Sequence, residues 1–397
     1  MAAPLISIRR TDDKIEIVDQ LLLPHVTKFV EISSIEEAHE AIKSMKIRGA
    51  PAIASLASLS LAQYLTRALR QTPEPEFLAS GQAIKNHVQP LLDYLLTSRP
   101  TAVNLGNATK RLSKLIDDSI AANEAPKSIV HSLIEDAKLI ADEDVGRNKA
   151  MAKWGGDWLI KRVQPSTPKS LNVLTVCNTG SLATSGYGTA LGLITYLHEV
   201  GQLNKAHFTQ TTPYHQGSRL TALELKTLQI PSVMICDTMV GSLFQHHDIH
   251  AVVNQRSTLI VVGADRIAKN GDTANKASSI PRIGTYNAAV IAARHNIPFI
   301  VVAPITTVDL EIDSGAQIPI EQRPPLEACL VRGAVYPLPE SGEVEQAQVL
   351  LTPVGLEGIY NPSFDVTPAE LITAIVTEKG VAVKAEGQNV FDLTPIV

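Results

Sequence analysis

Residues 173–188 read Val-Leu-Thr-Val-Cys-Asn-Thr-Gly-Ser-Leu-Ala-Thr-Ser-Gly-Tyr-Gly, and this stretch decides the fold of the second half of the chain. A short apolar run breaks at a cysteine and small polar residues, then continues at helical spacing. That order is typical of a buried parallel β-strand that passes into a helix through a tight turn. The turn places Cys177 beside backbone N–H groups that favour an anion and ease ionisation of a thiol. A buried, inert cysteine is the competing interpretation, because free cysteines are among the most buried residues.

The composition of the chain limits the class of protein to which it can belong. Its 397 residues are 45% hydrophobic and 19% charged, which is typical of a globular protein with a sizeable core. The formal net charge is −5 and no run of Lys and Arg occurs, so we expect no nucleic-acid partner. The three cysteines, Cys177, Cys236 and Cys329, favour neither a disulfide framework nor a cysteine-based zinc site.

Signals for a membrane or for secretion are weak in this sequence. The N-terminal residues lack the apolar region of a signal peptide. The longest apolar stretch, residues 49–62, contains serines and is shorter than the roughly 20 residues that a membrane-spanning helix needs. We therefore expect a soluble cytoplasmic protein with no membrane partner.

The first third of the chain is mainly helical by pattern. Residues 5–32 read as short strands, and Ser34-Ile-Glu-Glu37 is a capping box that begins a run of helical spacing. Further helical segments follow, including a long amphipathic helix over residues 128–159. We predict a helical N-terminal domain over residues 1–130 and an α/β domain over residues 131–397.

Apolar runs alternate with helical segments after residue 168. They predict a Rossmann-like, doubly wound α/β domain with a mostly parallel sheet, in which ligands bind outside the carboxyl ends of the strands. Residues 304–350 are loop-rich and suit an edge hairpin, and residues 366–376 read as a capped amphipathic helix. The apolar runs are residues 171–176, 206–209, 232–236, 258–263 and 298–303.

A second strand end carries an acid. The apolar run Leu259-Ile-Val-Val ends in Gly-Ala-Asp265-Arg266. A carboxyl group at such a position can be partly removed from water, which raises its pKa toward the range useful for general acid–base catalysis. An ion pair with Arg266 or a cap on the next helix are the alternatives, and the local sequence does not decide between them. Cys177 and Asp265 both follow apolar strands of the same predicted sheet.

Several dispersed residues suit the binding of a phosphate group. Arginine and lysine supply charge, amides supply donors, and a turn into a helix exposes backbone N–H groups. No Walker-type loop and no G-x-G-x-x-G segment is present, so nucleotide binding has no support. The candidates are Arg48, Gly49, Ala50, Arg99, Gln216, Asn275 and Lys276.

One histidine-rich segment has the composition of a metal site. It reads His246-His-Asp-Ile-His250, with its outer histidines four residues apart. It lies where a polar turn is expected between two strands, and no H-E-x-x-H pattern accompanies it. A solvated loop is the preferred interpretation, so we predict no metal.

Taken together, six segments resemble the methylthioribose-1-phosphate isomerase family, which is similar in fold to the α, β and δ regulatory subunits of translation initiation factor 2B. The resemblance runs in order over residues 20–380. The cysteine and the aspartate that separate these enzymes from their non-catalytic relatives are both present, as Cys177 and Asp265. The segments are Arg48-Gly-Ala-Pro-Ala-Ile, Ser98-Arg-Pro-Thr-Ala-Val-Asn-Leu, Cys177-Asn-Thr-Gly-Ser-Leu-Ala-Thr, Gln216-Gly-Ser-Arg-Leu-Thr-Ala, Val262-Gly-Ala-Asp-Arg-Ile-Ala-Lys-Asn-Gly-Asp-Thr-Ala-Asn-Lys and Tyr360-Asn-Pro-Ser-Phe-Asp-Val-Thr-Pro.

The resemblance implies an aldose–ketose isomerisation of 5-methylthioribose 1-phosphate in methionine salvage, with no metal and no other cofactor. It implies that Asp265 donates a proton during ring opening, and that Cys177 acts as a thiolate base or stabiliser at C1 and C2. It also implies a homodimer, in the cytoplasm and also the nucleus. The implied substrate-binding residues are Arg48, Gly49, Ala50, Arg99, Gly180, Gln216, Asn275 and Lys276, with backbone N–H donors expected over residues 178–181.

Two departures from the family pattern bear on activity. Family members usually read Glu-Thr-Arg-Pro where this chain has Gln210-Thr-Thr212-Pro213, so an acid and a base are missing. Residues 277–282 form an apparent insertion next to Lys276. Two alternatives therefore stay open: an isomerase of another ribose 1-phosphate, such as the 1,5-bisphosphate, and a non-catalytic regulatory subunit that binds a sugar phosphate or a protein partner.

Overall fold

The protein combines a helical part with a mostly parallel sheet. The structure is a computed structural model that describes residues 5–11, 14–164, 168, 170–246, 257–276, 284–320, 322–340 and 344–397. The helices in these ranges are α1 (Ile35–Lys43), α2 (Ala50–Leu69), α3 (Gly81–Thr97), α4 (Val103–Ala121), α5 (Pro126–Val163), α6 (Ala190–Glu199), α7 (Ala222–Thr227), α8 (Val240–His246) and α9 (Thr285–Arg294).

The N-terminal part begins with a small antiparallel sheet of β1 (Ile8–Arg10), β2 (Ile15–Val18) and β3 (Phe29–Ile32). The predicted cap at Ser34 is present: its hydroxyl oxygen accepts the Glu37 N–H at 3.1 Å, which satisfies one unpaired donor of α1. Helices α1 to α5 then bury their apolar faces in one continuous core.

One helix runs through the predicted domain boundary at residue 130. Helix α5 has 38 residues and packs against both α2 and α6, so it belongs to the helical part at its start and to the sheet at its end. The division at residue 130 therefore stays a prediction.

The central sheet confirms the predicted mixed α/β fold with mostly parallel strands. All five predicted strands are present, and the neighbours pair in parallel except at one edge, where β16 runs antiparallel to β15. The strand order is β16-β15-β10-β7-β4-β5-β6. The strands are β4 (Leu171–Thr175), β5 (Leu203–Thr209), β6 (Ser232–Ile235), β7 (Ser257–Val262), β10 (Phe299–Val302), β15 (Ala374–Thr377) and β16 (Gly380–Val383).

The remaining strands form two smaller sheets. The predicted hairpin within residues 304–350 is present as β12 and β13, although it forms a separate two-stranded sheet. The other sheet has the order β11-β8-β9-β14. These strands are β8 (Arg266–Ala268), β9 (Thr273–Lys276), β11 (Val308–Asp309), β12 (Leu330–Ala334), β13 (Gln346–Leu350) and β14 (Phe364–Thr367).

The predicted helix over residues 366–376 is wrong. This segment contributes the end of β14 and most of β15, separated by a short 3-10 turn at Ala369–Leu371. Strand β15 pairs with β10 through Ala374 and Ile300, so its backbone groups are satisfied by the sheet. The helical spacing of the apolar residues was misleading because their burial against the sheet outweighs local propensity.

None of the helices among the described residues is long and apolar enough to cross a membrane.

Candidate functional site

The turn that follows β4 holds Cys177 in an unusual backbone conformation. Its φ is +69°, in the left-handed region, which costs a non-glycine residue about 1–2 kcal/mol. Two threonine hydroxyls hold the peptide there: the Cys177 N–H donates to Thr211 Oγ1 at 2.8 Å, and Thr221 Oγ1 donates to the Cys177 carbonyl. The thiol is fully buried. Hydroxyls from the loop after β5 and from the helical segment before α7 therefore support this strained backbone, which fixes the direction of the cysteine side chain.

Arg48 reaches this turn from the helical part. The arginine directly precedes Gly49 at the start of α2 and is 1% exposed. Its guanidinium donates to the Asn178 carbonyl at 3.2 Å from both terminal nitrogens, and also to the Asn178 side-chain oxygen. The structure thus brings together two predicted site residues, Arg48 and Cys177, that lie 129 positions apart in the chain, at the carboxyl edge of the sheet.

Gly49 allows the start of α2 to lie in close contact with the segment that follows Cys177. Its φ is +105°, and a Cβ atom at this position would lie 1.9 Å from the carbonyl oxygen of Ala183. No ordinary side chain fits, because the contact is with backbone that cannot rotate away. Ala50 follows as the first residue of α2 and is buried.

Replacement of Gly49 by alanine is expected to lower the free energy of unfolding by about 3 kcal/mol or more, since it adds a backbone clash to an unfavourable φ. Urea denaturation measures the loss. Gly201→Ala is the matched control, because Gly201 also has a positive φ, +72°, but nothing lies within 4 Å of its Cβ position. An equal loss for the two variants would contradict the close approach of α2 to Ala183.

Asp265 lies on the loop that follows β7, next to the Cys177 turn. Gly263 packs against that turn, because a Cβ atom on Gly263 would lie 2.8 Å from Thr179 Cγ2. The backbone N–H of Asp265 donates to the Ala274 carbonyl at 3.0 Å, and its side chain is partly exposed. The neighbouring Arg266 pairs with Asp309 at 3.6 Å. The loop thus joins the same edge of the sheet as Cys177.

Gln216 follows β5 and is buried at 1% exposure. It lines a cavity of about 220 Å³ together with Met45 and Tyr214, both of which pack on the core cluster that contains Cys177. Gly217 allows the chain to turn here, since a Cβ atom would lie 1.8 Å from the Thr209 carbonyl oxygen.

The remaining described candidates are Arg99, on the loop before α4, and Asn275, on strand β9. Arg99 is buried just before α4, and the Asn104 and Asn107 amides of α4 donate to Thr306, which follows β10. Asn275 is buried on β9, where its amide donates to Thr285 Oγ1 at 2.9 Å.

Some predicted features fall outside the described residues. They are the Lys276 side chain, the apparent insertion at residues 277–282, the His246 side chain and residues 247–250. Among the described residues, no group of three or more histidine, cysteine or acidic side chains is placed to hold a metal ion.

The segment at Thr212, where this chain departs from the family pattern, is held in place by hydrogen bonds to Asp237. Asp237 accepts the Thr211 N–H at 2.7 Å and the Thr212 N–H at 2.8 Å, and the Thr212 hydroxyl donates to the same carboxylate at 2.6 Å. The loop that holds Thr211 against Cys177 is therefore braced from the end of β6.

Sequence reasoning missed Glu224, which lies under the Cys177 turn. This carboxylate accepts the Ser181 N–H at 2.6 Å, so the predicted N–H donors over residues 178–181 include one that already has an internal partner. The only signal was a single acid among apolar neighbours in Leu-Thr-Ala-Leu-Glu-Leu, which periodicity alone does not distinguish from an exposed helix position.

Asp144, on α5, braces the segment that follows the turn. Its carboxylate accepts the Ser185 N–H at 2.6 Å, and Ser185 also bonds to Ser55 of α2 at 2.7 Å between hydroxyls. Burial raises the pKa of the Asp144 carboxyl to about 6, partly opposed by the hydrogen bonds from Ser185. Because the folded pKa lies above the unfolded value, the stabilising contribution is present at acidic pH and is lost as pH rises through about 6.

The Asp144→Asn variant is expected to remove this pH dependence. Between pH 5 and pH 8 the free energy of unfolding of the unmodified protein should fall by about 1–1.5 kcal/mol more than that of the variant. Urea titrations at the two pH values give both slopes. Equal slopes would show that Asp144 has an ordinary pKa in the folded protein.

Comparison with known proteins shows the family to which this chain belongs. A family model described as the Initiation factor 2 subunit family matches residues 46–384. A protein of Laccaria bicolor named methylthioribose-1-phosphate isomerase is 72% identical over 99% of this chain and 100% of its own length. The chain belongs to the methylthioribose-1-phosphate isomerase family. The solved 5-methylthioribose 1-phosphate isomerase of Pyrococcus horikoshii OT3 is 34% identical, with a TM-score of 0.75 over 96% of this chain and 93% of that chain.

The isomerase family shares its fold with a subunit of a translation factor. The solved subunit delta of the translation initiation factor eIF-2B from A. fulgidus is 33% identical, with a TM-score of 0.71 over 96% of both chains. Fold similarity alone therefore does not separate the isomerases from these relatives, and the residues of the site must do so.

Proposed function

We propose that this protein is an aldose–ketose isomerase that converts 5-methylthioribose 1-phosphate to 5-methylthioribulose 1-phosphate in methionine salvage. The observation that carries the proposal is the full-length 72% identity to a protein named methylthioribose-1-phosphate isomerase. The site supports it, because the Cys177 turn, the Asp265 loop and the buried Arg48 meet at one edge of the sheet.

The chemistry of this substrate needs two groups with different pKa values. C1 carries a phosphate ester, so no free aldehyde is present to acidify the hydrogen on C2. The sugar ring must open while the phosphate stays attached, and a hydrogen must then move from C2 to C1. A site that excludes water suits both steps, because charges that develop there are stabilised by fixed groups.

Asp265 is assigned as the proton donor to the ring oxygen as the C1–O bond breaks. Cys177 is assigned as the thiolate that acts at C1 and C2. Two routes fit this assignment: the thiolate removes the C2 proton and a proton is returned to C1, or a hydride passes from C2 to C1 and the thiolate stabilises the cationic intermediate. In both routes the C2 hydroxyl loses its proton to give the ketone, and the aspartate regains the proton that it donated.

The phosphate and hydroxyl groups of the substrate are assigned to the predicted binding set. Arg48 supplies a guanidinium next to the turn, and Gly49 and Ala50 supply backbone N–H groups at the start of α2. Arg99, Gly180, Gln216, Asn275 and Lys276 complete the assignment.

A turnover assay on the purified protein tests the proposal. 5-Methylthioribose 1-phosphate should give the ketose without added metal or nucleotide, and ribose 1,5-bisphosphate should react much more slowly. Faster turnover of the bisphosphate would assign the protein to another isomerase reaction. No turnover of either compound would favour a regulatory subunit, which the similarity to the eIF-2B subunit makes the second candidate.

Further features of the protein follow from the same proposal. The sheet order β6-β5-β4-β7-β10-β15 supports a Rossmann-like, doubly wound domain. We also propose a homodimer in the cytoplasm and nucleus, with the helical domain at residues 1–130 contributing Arg48 and Arg99 to the site. Size-exclusion chromatography with light scattering tests the dimer.

A further inference from the structure

The Cys177 turn encloses a buried carboxylate that the proposed reaction does not use. Glu224, on α7, is 2% exposed, and both of its carboxylate oxygens accept hydrogen bonds from the turn. Oε2 accepts the Ser181 N–H at 2.6 Å and the Ser181 hydroxyl at 2.8 Å. Oε1 accepts the Asn178 side-chain amide at 2.7 Å and the Leu182 N–H at 3.4 Å. Burial raises the pKa of the Glu224 carboxyl above its usual value, and the hydrogen bonds from Asn178, Ser181 and Leu182 oppose this shift.

The backbone of the turn is shaped to receive this carboxylate. A Cβ atom on Gly180 would lie 2.2 Å from Glu224 Oε2, so no other residue type fits against the acid. A Cβ atom on Gly188 would in turn lie 2.5 Å from the Cα of Gly180. The two glycines therefore allow the turn to close around Glu224.

Asn178 connects this carboxylate to the buried arginine. Its amide nitrogen donates to Glu224, while its side-chain and backbone oxygens accept from Arg48. The two ends of an amide side chain differ, because the nitrogen donates and the oxygen accepts. Here the nitrogen donates to Glu224 and the oxygen accepts from Arg48, so the Asn178 side chain is held in one orientation. Asn178 also directly follows Cys177, so its placement sets the position of the thiol.

We propose that Glu224 is a positioning residue for the isomerase reaction: its carboxylate fixes the Asn178 amide and the Ser181 N–H, and through them the Cys177 thiol and the Arg48 guanidinium. This inference rests on the proposed function. Glu224 acts through the turn and touches no reacting atom.

The Glu224→Gln variant tests the proposal, because it keeps the shape of the side chain and replaces one acceptor by an amide donor that opposes the donors of the turn. We expect kcat to fall about 10- to 100-fold, as for a small misplacement of reacting groups. The loss should appear mainly in kcat, because the thiol is assigned to the reacting carbons. Glu224→Asp, which keeps the carboxylate but is shorter, should retain more of kcat than Glu224→Gln.

Asp272→Asn is the matched control for a merely structural loss. Asp272 is also a carboxylate that braces loops, since it accepts the Gly315 N–H and the Ala369 N–H, each at 2.8 Å. We expect this variant to lose stability in urea while kcat stays within about twofold of the unmodified protein. If Glu224→Gln lowers stability but leaves kcat within about twofold, or if Glu224→Asp loses as much kcat as Glu224→Gln, the positioning role is wrong.

Alkylation of Cys177 gives a readout that does not depend on turnover. Iodoacetamide labelling, followed peptide by peptide with mass spectrometry, should be about tenfold faster at Cys177 in Glu224→Gln, because the buried thiol is exposed more often once the turn loses the carboxylate that holds it. Unchanged labelling would overturn the link between Glu224 and Cys177. If the unmodified protein turns over neither sugar phosphate, the proposed function fails, while the labelling still decides whether Glu224 controls the thiol.

Discussion

Replacement of Cys177 by alanine is expected to lower the turnover of 5-methylthioribose 1-phosphate by about 10³-fold or more, because the variant has no ionisable group at the strand end. The loss should appear in kcat, since Cys177 is assigned to the reacting carbons and the phosphate is held elsewhere. Product formation in a coupled ketose assay measures the change.

The fold should survive this substitution. The hydrogen bonds that hold the left-handed backbone at this position use the N–H and the carbonyl of residue 177, and alanine keeps both. Circular dichroism and the urea midpoint verify this. Cys236→Ala is the matched control, a change of the same chemistry at a partly exposed cysteine, and it should retain full activity. Turnover retained by Cys177→Ala would remove the thiol from the mechanism.

Replacement of Asp265 by asparagine is expected to lower kcat by about 10²- to 10⁴-fold, the range for loss of a general acid. Asparagine keeps the size and polarity of the side chain but cannot transfer the proton that ring opening requires. The substrate should still bind, so KM should change little. Initial rates over a range of substrate concentrations separate the two constants.

An exposed aspartate on a nearby loop provides the comparison for this variant. Asp313 pairs with Lys269 at 3.4 Å, and both side chains are mostly exposed, so Asp313→Asn should leave kcat within about twofold. If Asp265→Asn shows the same small effect, Asp265 is not the proton donor, and its role on the loop after β7 is only structural.

Much of the central sheet was predictable, because the apolar runs that mark its strands are local features of the sequence. A buried parallel strand needs an uninterrupted apolar run, and each of the five such runs in the second half of the chain is a strand of the central sheet. The prediction of a helix at residues 366–376 failed because the local pattern there is ambiguous. The apolar residues of this segment fit both periods, and only the presence of β10 as a pairing partner selected the strand.

The candidate site was predictable in part. The position of Cys177 and Asp265 at strand ends follows from the sequence, since parallel strands bring their carboxyl ends to one edge. The contact between Arg48 and Asn178 does not follow, because it depends on how α2 meets the sheet, and Gly49 allows that approach only through a contact with the backbone of Ala183. The local pattern, a basic residue at a turn into a helix, named Arg48 as a phosphate-binding candidate, and the family resemblance named it again, but neither placed it against Asn178.

The sequence by itself determined which residue types are available and where the strands end, because these depend on short-range order along the chain. It placed a thiol after β4 and an acid after β7, each at the edge where ligands bind. Only the tertiary structure decided what surrounds them. A buried charge requires partners from other elements. The burial of Glu224 beneath the Cys177 turn, and its link through Asn178 to Arg48, exist only once α2, β4 and α7 have packed together.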